Sequence, residues 1–189
     1  MPVSIRIDDS QMKKTLAKLS EFHKEIPKAT SAAINRTLTF ANKKVKQEVK
    51  NTYNIKVGEI QRSIKIKKAT PSKLAGEIIS NGRRLTLSRF SKTGKWKKGK
   101  TIKVKVKKSS VKTVNTSPSA FMISLTGNSH IVKREGDSRY PLEVLHTLSI
   151  PQMIATSKVS DKVMDESQSV LQKRTEHEVE YRLKKLGGF

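Results

Sequence analysis

The chain has no cysteine among its 189 residues, so thiolate catalysis, disulfide staples, cysteine-held zinc and iron–sulfur clusters have no ligands here. Acid is scarce as well: 16 Asp and Glu stand against 40 Lys and Arg, a formal net charge of +24. Aromatic residues make up 5% and the whole hydrophobic set 34%, which predicts a core that is thin or completed by neighbours. Long apolar runs are missing, and Met1, Pro2, Val3 and Ser4 do not begin a basic segment followed by a hydrophobic stretch, so neither a signal peptide nor a membrane span is expected. The four histidines, His23, His130, His146 and His177, share no ligand spacing, and no metal or cofactor is expected.

What remains is enough to fold. Leu, Ile, Val and Phe number 47, about a quarter of the chain and above the roughly 20% below which a highly charged sequence stays disordered. At this length burial scaling permits one domain without disulfides or metals, and we expect a single unit over 1–189. The charge is strongly localised. Residues 1–35 and 135–189 are each nearly neutral, whereas residues 36–134 hold 26 basic side chains against Glu48, Glu59 and Glu77, with no acid between Glu77 and Glu135. A field so one-sided repels itself, and it predicts an anionic partner, either nucleic acid or an acidic protein surface.

The hydrophobic periods predict an α+β fold in three parts. In 1–55, Val3, Ile5 and Ile7 alternate as a short strand, followed by a helical hairpin. Its first arm carries Met12, Leu16, Leu19, Phe22 and Ile26 on one stripe after the capping candidates Asp8, Asp9 and Ser10, and it ends near Pro27, which could equally open the second. The second arm runs to about Tyr53 with Thr30, Ile34, Leu38, Ala41, Val45, Val49 and Thr52 inward and Arg36, Lys43, Lys44, Lys46 and Lys50 outward. Residues 56–155 read as a central, mainly antiparallel twisted sheet. There Ile64 and Ile66, and again Ile102, Val104 and Val106, alternate with lysines, giving strands apolar inside and lysine outside. Pro71-Ser72 marks a turn, Leu74 to Ser80 a strand, and Asn81-Gly82 a tight hairpin that returns through Leu85 and Leu87. Residues 91–100, polar and lysine-rich, form a basic hairpin arm, and Phe121 to Leu125 is expected to pair with Ile131 and Val132. A C-terminal helix over 160–186, capped by Ser160, places Met164, Leu171, Val179, Leu183 and Leu186 inward and Glu176, Glu178 and Glu180 outward.

One segment, Gly94-Lys95-Trp96-Lys97-Lys98-Gly99-Lys100-Thr101, matches the phosphate-loop pattern GxxxxGK[ST]. That loop requires an apolar strand before it, a helix after it and an Asp for magnesium. Here a polar stretch precedes, an alternating strand follows, and residues 78–134 contain no acid, so nucleotide hydrolysis is not expected. No GxSxG elbow is present, and Glu135 with Asp137 reads as a turn; nothing in the sequence forms a catalytic constellation. The residues that suit a polyanion are Arg83, Arg84, Arg89, Lys92, Lys95, Lys97, Lys98, Lys100, Lys103, Lys105 and Lys107, with Trp96 as a stacking platform. Without a helix-turn-helix, a zinc finger or ribonucleoprotein aromatics, such contact would be to backbone rather than to bases.

Four short landmarks follow one another around this basic arm: Ala33-Ile34-Asn35-Arg36, then Arg84-Leu85-Thr86-Leu87-Ser88-Arg89, then Ala120-Phe121-Met122 with Ile131-Val132-Lys133-Arg134, then Arg139-Tyr140-Pro141-Leu142-Glu143-Val144 and Ile150-Pro151. In that order they resemble the phage minor tail protein Z family, the tail completion proteins of lambda-like long-tailed phages, over roughly residues 29–155. The arm is Lys-rich where the family tends to Arg, and Glu143 stands where Asp is frequent. The resemblance implies a non-enzymatic virion protein at the head–tail junction, made in the host cytoplasm. It would form a ring, six subunits being the expectation, between the tail terminator or tube and the connector, near the phage DNA end. It also implies a structural or interface role for Asn35, Arg36, Phe121, Arg134, Arg139, Tyr140 and Pro141. The alternative from composition alone is a free, sequence-nonspecific nucleic-acid-binding protein of nucleoid-like or RNA-binding type.

Overall fold

The computed structural model describes residues 3–7, 25–92, 101–125 and 128–185, and the architecture over them is α+β with antiparallel strands throughout. The first arm of the expected hairpin, the tip of the basic arm at 93–100 and the final Leu186 lie outside the described residues.

Two long helices dominate. Helix α1, Ile26–Thr52, begins with Pro27 in its first turn, where a missing N–H costs nothing and the fixed φ suits a helix. Its expected stripe is realised: Thr30, Ile34, Leu38, Ala41, Val45 and Val49 are all buried. It ends when Tyr53 turns to extended backbone, the Tyr53 ring being buried and its hydroxyl 3.3 Å from Thr156 Oγ1. A short helix α2, Val57–Ser63, follows, and strands β1, Val3–Ile7, β2, Ile64–Lys67, and β3, Gly76–Ser80, form a sheet of order β1-β3-β2. Ile5 and Ile66 both pair with Ile78 on the central strand.

Helix α1 lies over that central strand. A Cβ on Gly76 would come 2.5 Å from Leu38 Cδ1 and 3.2 Å from Ile34 Cγ2, so only glycine lets the helix approach this closely. Edge strand β2 gains less cover: Ile64 is buried, but Ile66, expected inside, is 37% exposed.

The rest of the β region is divided into two further three-stranded sheets instead of one continuous surface. The first joins β4, Ser91–Lys92, β5, Lys103–Lys105, and β6, Lys112–Thr113. The second joins β7, Phe121–Leu125, β8, Asn128–Arg134, and β9, Leu142–Val144. In the latter, Phe121 pairs with Val132 and Met122 with Ile131, the strand partners expected from the sequence, and Leu125 stands opposite Asn128. The Asn81-Gly82 hairpin is not formed. Asn81 N–H instead donates to Ser63 O at 2.9 Å, because β3 already has a neighbour on each side and no edge is left for a returning strand. Leu85 and Leu87 run beside residues 145–148, with Leu87 N–H donating to Leu145 O at 2.9 Å, and the chain then makes a single 3-10 turn, Leu87–Arg89.

Helix α3, Ile150–Ile154, opens with a capping box in which Ser149 and Gln152 satisfy each other's backbone N–H groups. Helix α4, Ser157–Lys185, begins three residues before the expected Ser160. Its buried side is Val159, Val163, Ser167, Leu171, Thr175 and Glu178, a stripe rotated from the expected one, so Met164 is 36% exposed and Glu178 only 3%. The ion pairs described below supply the reason.

Candidate functional site

The α1 and α4 helices run antiparallel with charges matched along their length. Arg182 pairs with Glu25 at 2.6 Å, Arg36 Nε lies 3.0 Å from Glu178 Oε1, Lys44 reaches Glu166 at 2.8 Å and Lys162 reaches Glu48 at 3.1 Å. Arg36, expected on a free basic face, thus has a carboxylate across the interface, a charge contact at which the buried Glu178 Oε1 receives no well-aligned hydrogen bond. Hydrogen bonds from Lys28 and then Arg182 hold Glu25 below the usual carboxylate range. Burial pushes Glu48 up, but hydrogen bonds from Lys162 and Lys44 outweigh it and the net direction is down. The hydrogen bond to Glu166 holds Lys44 above its ordinary value. Asn35 is structural in a different sense: its side-chain amide donates to Ala69 O at 2.9 Å and accepts from Ala69 N–H at 2.8 Å, tying α1 to the loop after β2.

The β region is matched only in part: Lys67 pairs with Glu77 at 3.0 Å between β2 and β3, but β5 has no such partner among the described residues. On β5, Val104 faces the core while Lys103 is exposed and Lys105 half-buried; Lys107 is exposed just beyond. None of these three lysines has an ion pair among the described residues. The backbone of β4 at Ser91 and Lys92 pairs with Lys105 and Val104, so the two flanks of the basic arm are joined as a hairpin. Lys95, Trp96, Lys97, Lys98 and Lys100 lie outside the described residues. Strand β5, not a helix, follows the GKWKKGKT segment, as its alternation predicts.

Arginines gather elsewhere, around a cleft of about 800 Å³ that the sequence does not reveal. Ile60, fully buried, anchors α2 and leaves Glu59 and Arg62 on its outer side. Phe90, also buried, anchors the opposite wall and places Arg89 against Glu59, whose carboxylate therefore pairs with both Arg89 and Arg62. Ser129 and His130 from the start of β8 close the cleft, and His130 Nδ1 is buried with no hydrogen-bond partner among the described residues. An adjoining hollow of about 280 Å³ adds exposed Arg83 and Arg84. Planar guanidinium forks are the groups best matched to carboxylate or phosphate oxygens, and among the described residues Glu59 is the sole carboxylate lining either hollow.

The remaining predicted interface residues sit together on the β7–β8–β9 sheet and its tip. Arg134 lies over the Phe121 ring, 5.4 Å from its centroid, and donates to Ser138 O at 3.2 Å. Arg139 lies 5.7 Å from the Tyr140 centroid, and Tyr140 is 64% exposed. Pro141 is exposed and its carbonyl accepts from Glu135 N–H at 3.3 Å, closing the tip. The ion pair in this sheet is Lys133 with Glu143, at 2.9 Å. Among the described residues there is no group of three or more His, Asp or Glu able to hold a metal, and no helix long and apolar enough to cross a membrane.

A family model described as prophage minor tail protein Z (GPZ) matches residues 11–186. No curated protein and no solved structure matches the chain.

Proposed function

The chain belongs to the prophage minor tail protein Z family, and on that premise we propose that it completes the phage tail at its head-proximal end and makes it competent to join the head. It is a minor tail protein and so a component of the virion. The observation that carries the finer reading is the combination of that family membership with a β region whose basic side chains are mostly unmatched among the described residues. Such a surface suits an assembly part held against something anionic: acidic faces of the tail terminator, tube or connector, and the DNA end in the channel.

On this reading the unit is a single domain over 1–189 that acts by complementary surface, with no reaction of its own. It works as a ring, six copies being the expectation for a rotationally symmetric tail. Lys92, Lys95, Lys97, Lys98 and Lys100 of the arm, with Lys103, Lys105 and Lys107, meet phosphates, and Trp96 offers a stacking face.

Lysates made without the protein test this directly. Electron microscopy should show full heads and tails of normal length that fail to join, and purified protein added back should restore infectious particles. Tails of abnormal length, or empty heads, would overturn the reading. A fixed copy number in purified particles separates it from a free nucleic-acid binder, which would be absent from them.

A further inference from the structure

The arginine cleft and the tip of the β8–β9 hairpin stand at opposite ends of one strand. Ser129 and His130 at the start of β8 line the cleft; Glu135 and Asp137 follow its last residue, Arg134. Four residues of strand, Ile131 to Arg134, separate His130 from Glu135, so five steps of about 3.4 Å give roughly 17 Å at the usual antiparallel rise. Arg134 is half-buried and turned back over Phe121, whereas Glu135 and Asp137 are exposed and without an ion pair among the described residues, beside exposed Arg139 and Tyr140. The tip therefore presents two unpaired carboxylates and one exposed guanidinium.

We propose that the Glu135–Asp137 tip of one copy seats in the arginine cleft of the next. Within the chain the cleft already holds one carboxylate, Glu59, between Arg62 and Arg89, so its chemistry as a carboxylate socket is present in the fold itself. Arg83 and Arg84 of the adjoining hollow, with the outward part of Arg62 that lines both, remain to receive a second, and His130 Nδ1 in the cleft is a buried polar atom without a partner among the described residues. A cleft of about 800 Å³ is on the scale of a small-molecule or side-chain site rather than of a duplex. A donor at one end of a strand and a receiver at the other make a head-to-tail contact, the kind that closes into a ring when the rotation permits. The inference rests on the ring reading above and supplies it with an interface.

Because the full chain lacks cysteine, the contact can be trapped with introduced thiols. Gly136→Cys places one on the tip, where an added Cβ meets nothing within 4 Å, and Ser88→Cys places the other in the cleft wall. Each variant then carries a single thiol, so no bond can form within one chain. Mixing the two variants under mild oxidation, in solution and on tails lacking the protein, should give mixed dimers at least tenfold over either like pair. Glu135→Lys with Asp137→Lys should abolish them, as should Arg83→Glu with Arg84→Glu, and the two reversed chains together should restore them. Rings that persist without this cross-link, or cross-linking indifferent to charge reversal, would overturn the proposed contact while leaving the ring reading intact. Absence of any self-association on tails would overturn both. If Arg83→Glu with Arg84→Glu leaves self-association unchanged and weakens oligonucleotide binding instead, the cleft is a nucleic-acid site and the proposal fails.

Discussion

Among the described residues the ion pairs that cross between α1 and α4 join a basic side chain of one to a carboxylate on, or capping, the other; on β5 the lysines project with no carboxylate to meet. Both regions carry many basic residues, so composition alone does not distinguish them. The difference lies in where the acids are placed: six of the sixteen fall on α4, and three serve the whole segment from 36 to 134. Charge in the helical pair is part of the internal cohesion of the protein. Charge on the sheets is offset only in part among the described residues, by Lys67 with Glu77 and Lys133 with Glu143, and the uncompensated remainder repels itself.

The largest expected effect comes from breaking the joint where the two regions meet. Leu38→Ala removes a fully buried side chain packed against the site of Gly76 and should cost about 2–5 kcal/mol. Gly76→Val approaches the same contact from the other side, and overpacking there should cost about 1–3 kcal/mol. Chemical denaturation should show one shared transition moved to lower denaturant in both variants. A helical signal that survives loss of the sheet signal would mean that the regions fold separately and that the comparison divides the protein more deeply than its packing implies.

Next in size is Asn35→Ala. It strands both backbone groups of buried Ala69, and the expected loss is about 1–3 kcal/mol, with Asn35→Asp recovering only the acceptor half. Its counterpart within the helical pair is Glu48→Gln, which takes the carboxylate from both Lys44 and Lys162. With Lys162 half exposed the expected loss is about 1–2 kcal/mol.

The pH dependence sharpens the same point. Glu25 and Glu48 are both held below the usual carboxylate range in the folded protein, so their contribution is complete above about pH 4.3, where the unfolded groups ionise, and is lost as pH falls through the folded values. Lys44 is raised, so its contribution is complete below about pH 10.4 and is lost as pH rises through its folded value. Stability measured between pH 7 and 3 should therefore decline, and Glu48→Gln should flatten that decline. An unaltered acid profile would show that the helical pair is held by its apolar stripe alone.

How legible each region was in the sequence follows the same division. The inward stripe of α1 and the pairing of β7 with β8 are local patterns, and they appear in the chain as written. Helices α2 and α3, of seven and five residues, are too short for a 3.6-residue period to be read; the spacing of Glu59 to Arg62 and of Ser149 to Gln152 was the available signal. Buried Glu178 meets Arg36, a partner in another helix, and no local pattern encodes it. Asn81-Gly82 has ideal hairpin chemistry and was misleading because β3 is a central strand with both edges taken. The arginine cleft draws on α2, residues 83–90 and the start of β8, so its members were visible as basic residues but their convergence was not.

The smallest expected effect on stability, and the most informative for function, is from replacing Lys103, Lys105 and Lys107 together by Gln. These side chains have no ion pair among the described residues, and β5 is held by Val104 in the core and by its neighbours β4 and β6, so denaturation should move by no more than about 0.5 kcal/mol. Polyanion binding should respond in proportion to the phosphates lost. Each lysine that neutralises a phosphate of duplex DNA contributes about 0.9 to the slope of log K against log salt, so three contacts removed should flatten it by roughly 2.7. Half-buried Lys105 should contribute least when the three are changed singly. If the slope holds while stability falls, the lysines are structural, and the contrast between a matched helical pair and an unmatched sheet would be one of appearance. If neither quantity changes, phosphate contact belongs to the arm, and replacing Lys92, Lys95, Lys97, Lys98 and Lys100 should then account for the whole slope.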